Sequence, residues 1–130
     1  MEMQKPNNKV IWVGRVLSVL VTFPFLMGAY MKLTRNPQVI EGMPKMGLPT
    51  SLMLLIGILE LSCIVIYLIP QTSVLGAILF TGFVGGTILT HLRIGEPVYI
   101  QVTLGILIWL GLYLREPRLR EILPLRKKTL

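Results

Sequence analysis

Glu60 is the residue whose chemistry stands out in this chain, because it is the only charged residue in the apolar run 51–69. Placing a carboxylate at mid-depth in a bilayer costs about 3 kcal/mol on insertion scales, so such a group is by default functional and paired. A buried glutamate needs a cation or a hydrogen-bond donor beside it, or else it stays protonated. The possible partners here are Lys32, Arg15 and His91.

Other polar side chains gather at one end of the apolar segments and suggest a pocket. They are Lys32, His91, Arg93, Glu96 and Gln101. With Glu60 lying deeper, this set predicts a polar cavity that opens toward the outer side. Histidine titrates near neutral pH, which makes His91 a natural proton carrier. No residue is assigned a catalytic role.

Each of these polar residues also has a simpler interpretation. Arg15 can extend its long side chain to lipid head groups. His91 can bond to lipid or to a loop. Glu60 can form a structural ion pair with a lysine or an arginine that fixes how the helices align. These alternatives stay open at the level of sequence.

The elements that must position these groups are four apolar stretches, each about as long as a bilayer is thick. They cover residues 10–31, 51–69, 73–90 and 98–114. Backbone polar groups in lipid must be paired within the protein, and the alternation typical of a β-barrel is absent, so all four are predicted to be helices. The predicted fold is all-α, a polytopic four-transmembrane-helix bundle. It forms a single domain, residues 1–130, ending in a basic cytoplasmic tail, residues 115–130.

Composition excludes several other classes of protein. A chain of 130 residues that is 53% hydrophobic, with a mean hydropathy of +0.71, cannot hide its apolar surface in a soluble core. The formal charge of +7 is spread over both ends and the connections without an aromatic platform, which argues against nucleic acid as a partner. One His and one Cys cannot supply the usual zinc ligands, so no metal is predicted.

The distribution of positive charge predicts the orientation. Eight Lys and Arg residues lie at the chain ends: Lys5, Lys9, Arg115, Arg118, Arg120, Arg126, Lys127 and Lys128. Four lie on the opposite side: Lys32, Arg35, Lys45 and Arg93. The positive-inside rule therefore puts both termini in the cytoplasm. Tyr67 is predicted to lie at the inner membrane boundary, together with Trp12 and Tyr113.

Three local patterns refine this arrangement. Gly82 and Gly86 form a G-x-x-x-G pair, which predicts close packing of helices. The face of the second span that carries Glu60 is predicted to point into the bundle; its members are Met53, Gly57, Glu60, Cys63, Ile64 and Tyr67. The connection 32–50 contains three prolines but is half apolar, so it either caps a cavity or packs at the membrane interface.

Several of these residues also carry a family resemblance. They are Lys32, Gly57 to Glu60, Leu75 to Ala77, Gly85-Gly86, the string Thr90-His91-Leu92-Arg93-Ile94-Gly95-Glu96-Pro97, and Tyr113 to Arg115. In this arrangement the chain resembles the DoxX-like family over nearly its whole length. The resemblance implies a four-helix integral protein of bacterial inner membranes and singles out Lys32, Glu60, His91, Arg93 and Glu96. Related branches are linked to thiosulfate–quinone oxidoreductases and to thiol-stress complexes, and a distant animal branch assists receptor assembly.

Three functions are compatible with these patterns. The first is a quinone- or redox-associated subunit with no intrinsic cofactor, whose electrons come from a redox partner protein. The second is a non-enzymatic assembly factor that binds the transmembrane helices of other proteins. The third is a small-solute or proton transporter, which would require a homodimer. Whether the protein is an enzyme is left open.

Overall fold

The computed structural model describes residues 7–124, and this part of the chain is helical without any β-strand. Its helices are α1 (Asn8–Leu33), α2 (Pro37–Lys45), α3 (Met53–Leu68), α4 (Ser73–Arg93) and α5 (Tyr99–Arg115). The four predicted spans coincide with α1, α3, α4 and α5 to within a few residues. The short helix α2 lies in the connection 32–50, for which no helix bounds were predicted from the sequence.

The four long helices enclose a common core. α1 packs against α3 and α5, and α4 packs against the same two helices. The core is formed by aromatic and branched side chains, with Tyr67, Phe80 and Leu112 fully buried. All six residues of the predicted inward face of α3 are buried. The periodicity of that span therefore correctly identified the side that faces the other helices.

The outer faces of these helices are strongly apolar. Large side chains such as Val19, Leu55, Ile78 and Ile106 are at least half exposed. A soluble protein rarely exposes so much contiguous apolar surface. The segments Asn8–Leu33, Thr50–Leu68 and Pro70–Arg93 are long and apolar enough to cross a membrane, and the apolar helix α5 is shorter. These surfaces are suited to contact with lipid.

At one end of the molecule the helices approach one another very closely, and glycines allow this. A Cβ atom added at Gly76 of α4 would lie 2.3 Å from the backbone of Tyr67 in α3. A Cβ at Gly14 of α1 would lie 2.5 Å from the backbone nitrogen of Arg115 in α5. No side chain fits in either position. We refer to this region as the closed end.

Gly82 and Gly86 were predicted to allow close packing of helices. Within the described chain, no other helix packs against them. A Cβ added at either glycine would meet no atom of the described residues within 4 Å. The reason is their direction on α4, since the core side of that helix is formed by Ala77, Phe80 and Val84. Gly82 and Gly86 lie on the other side of the helix and are exposed.

Tyr67, which was predicted on the same face as Glu60, is fully buried at the closed end. Its hydroxyl donates a hydrogen bond of 2.6 Å to the carbonyl oxygen of Ile108 and lies 3.2 Å from Ser18 Oγ. The guanidinium of Arg115 stacks 4.6 Å from the ring centroid and donates to the Tyr67 carbonyl oxygen. Tyr67 thus links α1, α3 and α5.

The chain after α5 folds back on the closed end. A short 3₁₀ helix, Pro117–Glu121, buries Leu119 in the core. Arg120 donates hydrogen bonds to the carbonyl oxygens of Tyr113 and Leu114. The first part of the predicted tail is therefore ordered against the helices. The described residues do not include Lys5, Arg126, Lys127 and Lys128, whose charges contributed to the predicted orientation.

Candidate functional site

Lys32 is the partner of Glu60. The Lys32 Nζ atom lies 2.6 Å from Glu60 Oε2, while Glu60 is only 4% exposed. Lys32 is in the last turn of α1, and Glu60 lies on the buried face of α3. Of the three partners that the sequence allowed, the structure brings only Lys32 into contact with this carboxylate.

Two glycines make room for this ion pair. A Cβ added at Gly28, one turn before Lys32, would lie 3.0 Å from Glu60 Oε1 and 3.3 Å from Lys32 Nζ. A Cβ at Gly57 would lie 3.1 Å from the Cβ of Lys32. The role of Gly57 was predicted from its position one turn before Glu60. Gly28 was not predicted, although its spacing of four residues from Lys32 was a signal.

The ion pair faces a cavity of about 670 Å³ between the helices. Phe25 and Phe83 line it, and their ring centroids are 6.4 Å apart. Further apolar and small residues complete the lining: Pro24, Met31, Ile56, Leu59, Gly82, Gly86 and Leu104. The cavity is thus mainly apolar, with the charged pair on its wall.

The helix α2 covers the cavity. Asn36 caps its start by accepting a hydrogen bond of 2.9 Å from the backbone nitrogen of Gln38. Pro37 fits at the first helical position, where no backbone N–H is needed. Met43 is 5% exposed and lines the cavity together with Gln38 and Val39. Of the two interpretations of this connection, the structure therefore supports a cap over a cavity.

α2 is joined to α1 by a tight turn. The backbone nitrogen of Thr34 donates to the Tyr30 carbonyl oxygen, and that of Asn36 donates to the Met31 carbonyl oxygen, both at 2.9 Å. Arg35 between them adopts a left-handed conformation with φ of 55°. The turn is therefore held at both ends by hydrogen bonds to the last turns of α1.

Gln101 is a polar residue of the cavity lining. Its Oε1 atom is buried and has no hydrogen-bond partner among residues 7–124. A buried carbonyl oxygen without a partner costs free energy. Gln101 was predicted from sequence as part of the pocket.

His91 and Glu96 form a second pair at the outer rim. The His91 Nδ1 atom lies 2.7 Å from Glu96 Oε2. His91 lines the cavity, while the Glu96 side chain is half exposed. The pair lies at the C-terminal end of α4, where the chain turns toward α5. Both residues were predicted as pocket residues, and only His91 faces the cavity.

Two predicted pocket residues lie elsewhere. Arg93 does not line the cavity, and its guanidinium faces Gly47, where an added Cβ would lie 3.2 Å from it. Arg15 is exposed and stacks 5.3 Å from the ring centroid of Trp12. It lies roughly 25 Å from Lys32 along α1, at 1.5 Å per residue. Its exposed position agrees with the alternative of a side chain that reaches lipid head groups.

The side chains that line the cavity can bind a ligand and exchange protons with it. The wall offers an ammonium, a carboxylate and an imidazole around an apolar interior. In residues 7–124 no three His, Cys, Asp or Glu side chains come together as metal ligands. The set can hold a molecule that has an apolar body and a polar end.

An all-helical membrane protein with a partly polar cavity between its helices is the class that this fold and site define. A sequence model of the DoxX-like family matches residues 16–113. Because this match covers most of the chain, the protein belongs to the DoxX-like family. Searches of curated proteins and of solved structures gave no match.

Proposed function

We propose that the protein is a quinone-binding subunit of a redox complex in a bacterial inner membrane. One observation carries this proposal: the two residues of the Lys32–Glu60 ion pair and Gln101 line the same mainly apolar cavity. A quinone combines a flat apolar ring with two polar oxygens, so it matches both parts of that lining.

The size and the walls of the cavity fit such a ring. Pockets for small molecules usually enclose about 300–1,000 Å³, and this cavity encloses about 670 Å³. Phe25 and Phe83 offer aromatic surfaces on which a ring can stack. Lys32 can donate a hydrogen bond to a quinone oxygen. The bound quinone would supply electron and proton transfer, and the electrons would come from a partner protein.

The proposal is tested by measuring quinone binding with purified protein in lipid nanodiscs. We expect decylubiquinone to bind and Glu60→Gln to weaken its binding about tenfold, because a neutral amide no longer holds the Lys32 ammonium in place. Binding is followed by quenching of tryptophan fluorescence or by calorimetry. The matched control is Glu121→Gln, the same substitution at an exposed site away from the cavity. Absence of binding by the unmodified protein to both ubiquinone and menaquinone analogues would rule the function out.

We further propose that the four long helices form a transmembrane bundle with both termini in the cytoplasm. The exposed apolar faces and the excess of positive charge at the chain ends support this orientation. The cavity would then lie in the outer half of the membrane. A fluorescent protein fused at the C-terminus should fluoresce, and alkaline phosphatase fused after Gly95 should be active. An active phosphatase at the C-terminus would contradict the orientation.

An assembly factor is the second candidate function, and the open side of α4 favours it. Gly82, Gly85 and Gly86 have no neighbour within 4 Å of an added Cβ among the described residues. Small residues on a membrane helix allow the backbone of another helix to approach. A membrane protein that co-purifies with the unmodified chain and with Glu60→Gln, but is lost with Gly86→Leu, would favour this function over quinone binding.

A further inference from the structure

We infer that the cavity opens sideways into the lipid through a portal between α3 and α4, and that the apolar tail of the ligand occupies this portal. The inference rests on the proposed function, because it concerns how a quinone reaches that cavity. We define the portal by three residues, Leu59 on α3 and Gly82 and Gly86 on α4.

The portal residues belong to the cavity and to the outer surface at once. All three line the cavity. Leu59 is also 51% exposed, and both glycines are exposed. Residues that contribute to an interior wall and to the outside of a protein lie at an opening. The cavity therefore reaches the surface between these two helices.

The relative placement of α3 and α4 explains why the opening lies at this level. The two helices are antiparallel neighbours joined by the short turn Pro70–Thr72. Gly76 brings them into backbone contact at Tyr67, so no gap exists at the closed end. Further along, Gly82 and Gly86 carry no side chain, and a Cβ added at either would meet no described atom within 4 Å. The two glycines are one helical turn apart, which opens roughly 6 Å along the helix axis.

The depth of the portal indicates what can pass through it. Leu59 immediately precedes Glu60 in the apolar run, and Gly82 lies near the middle of α4. This level of both helices belongs to the segments that are long and apolar enough to cross a membrane. The portal therefore faces hydrocarbon instead of water. A group that occupies it must be apolar, such as an alkyl or isoprenoid chain.

The cap supports entry from lipid over entry from water. Met43 of α2 is buried over the cavity, and Gln38, Val39 and Gly42 of the same helix line it. The helix α2 thus overlies the outer end, where Gln38 is exposed, whereas the side is bounded by two residues without side chains. A ligand dissolved in the membrane can place its polar ring beside Lys32 and leave its tail in the portal.

The test compares two ligands that share a ring and differ in the tail. Decylubiquinone carries a ten-carbon chain, and 2,3-dimethoxy-5-methyl-1,4-benzoquinone is a closely similar ring without it. The variant Gly82→Leu/Gly86→Leu fills the portal with two side chains. An added Cβ at either position meets no described atom within 4 Å, and leucine favours helix, so the variant should fold.

The matched control is Gly85→Leu. Gly85 is exposed on the same helix and has equally free space around it, but it does not line the cavity. We expect the portal variant to bind decylubiquinone about tenfold more weakly, because the tail loses its apolar contacts. It should bind the short quinone within about twofold of the unmodified protein, since the ring site is intact. Gly85→Leu should match the unmodified protein for both ligands.

Three outcomes would overturn the portal. If the double variant binds decylubiquinone as the unmodified protein does, the portal is wrong and the quinone function stands. If the unmodified protein binds neither of these quinones nor a menaquinone analogue, the portal and the quinone function fail together. If the double variant keeps quinone binding but loses a co-purifying membrane protein, the face between α3 and α4 is a docking surface for another helix.

Discussion

Replacing Lys32 by methionine is expected to destabilise the protein by about 3 kcal/mol, because it leaves a buried carboxylate without its partner. Glu60 is 4% exposed, and Lys32 is the one cation of the described residues within salt-bridge distance of it. The measurement is the free energy of unfolding in detergent or lipid, obtained from denaturant titration. Lys45→Met, which removes an exposed lysine at the end of α2, is the control and should have little effect.

The double variant Lys32→Met/Glu60→Leu shows whether the ion pair serves only the stability of the protein or also binds the ligand. Removing both charges leaves no uncompensated group, so most of the lost stability should return. Quinone binding should stay impaired, because the ammonium that donates to the ligand is absent. If the double variant recovers both stability and binding, the ion pair serves only to align the helices. That result would support the structural interpretation of Glu60.

Replacing Gly76 by alanine is expected to destabilise the protein by about 3 kcal/mol, an overpacking cost at the upper end of the usual range. The added Cβ would lie 2.3 Å from backbone atoms of Tyr67, and backbone of a helix cannot move aside as a flexible side chain can. α3 and α4 would have to separate along their closest contact. The melting temperature of the purified variant measures this loss.

Gly85→Ala is the matched comparison for this prediction. It makes the same change on the same helix, where an added Cβ meets no described atom within 4 Å. Alanine favours helix over glycine by about 1 kcal/mol, so this variant should be as stable as the unmodified protein or slightly more stable. Equal melting temperatures for Gly76→Ala and Gly85→Ala would contradict the closed end as described.

The sequence predicted the spans and the inward face of α3 because those signals are local. Hydrophobic length defines each span, and the spacing of Gly57, Glu60 and Tyr67 defines one helix face without knowledge of the other helices. The partner of Glu60 could not be chosen in the same way. Lys32, Arg15 and His91 all lie on other helices, and their distances depend on tilt and rotation, which tertiary packing determines.

The surroundings of Gly82, Gly86 and Tyr67 depend on how each helix is rotated about its axis, which tertiary packing determines. Gly76 and Gly82 are alike in sequence terms, yet one meets a backbone and the other meets no described atom. Tyr67 lies near the end of its helix, where tyrosine often contacts lipid head groups, but here it turns inward to bond with Ile108. Sequence indicates how deep a residue lies better than it indicates which neighbour it meets.

No bounds were predicted for the helix α2, and the reason is different. Its three nearby prolines suggested an interrupted chain, but Pro37 occupies the first helical position and Pro44 lies in the last turn. Both positions tolerate proline better than a helix centre does. The apolar residues of this connection were the correct signal, since Met43 and Val39 face the cavity.

The tight turn between α1 and α2 connects Lys32 of the ion pair rigidly to the helix that covers the cavity. Lys32 lies one helical turn before Asn36, and the residues between them are held by hydrogen bonds to α1. No flexible linker separates the two, so a shift of the α1 end that carries Lys32 also moves α2. A ligand in the cavity that displaces this end of α1 would therefore also move α2. A neighbouring subunit in contact with α2 could then bind differently to the filled and the empty protein.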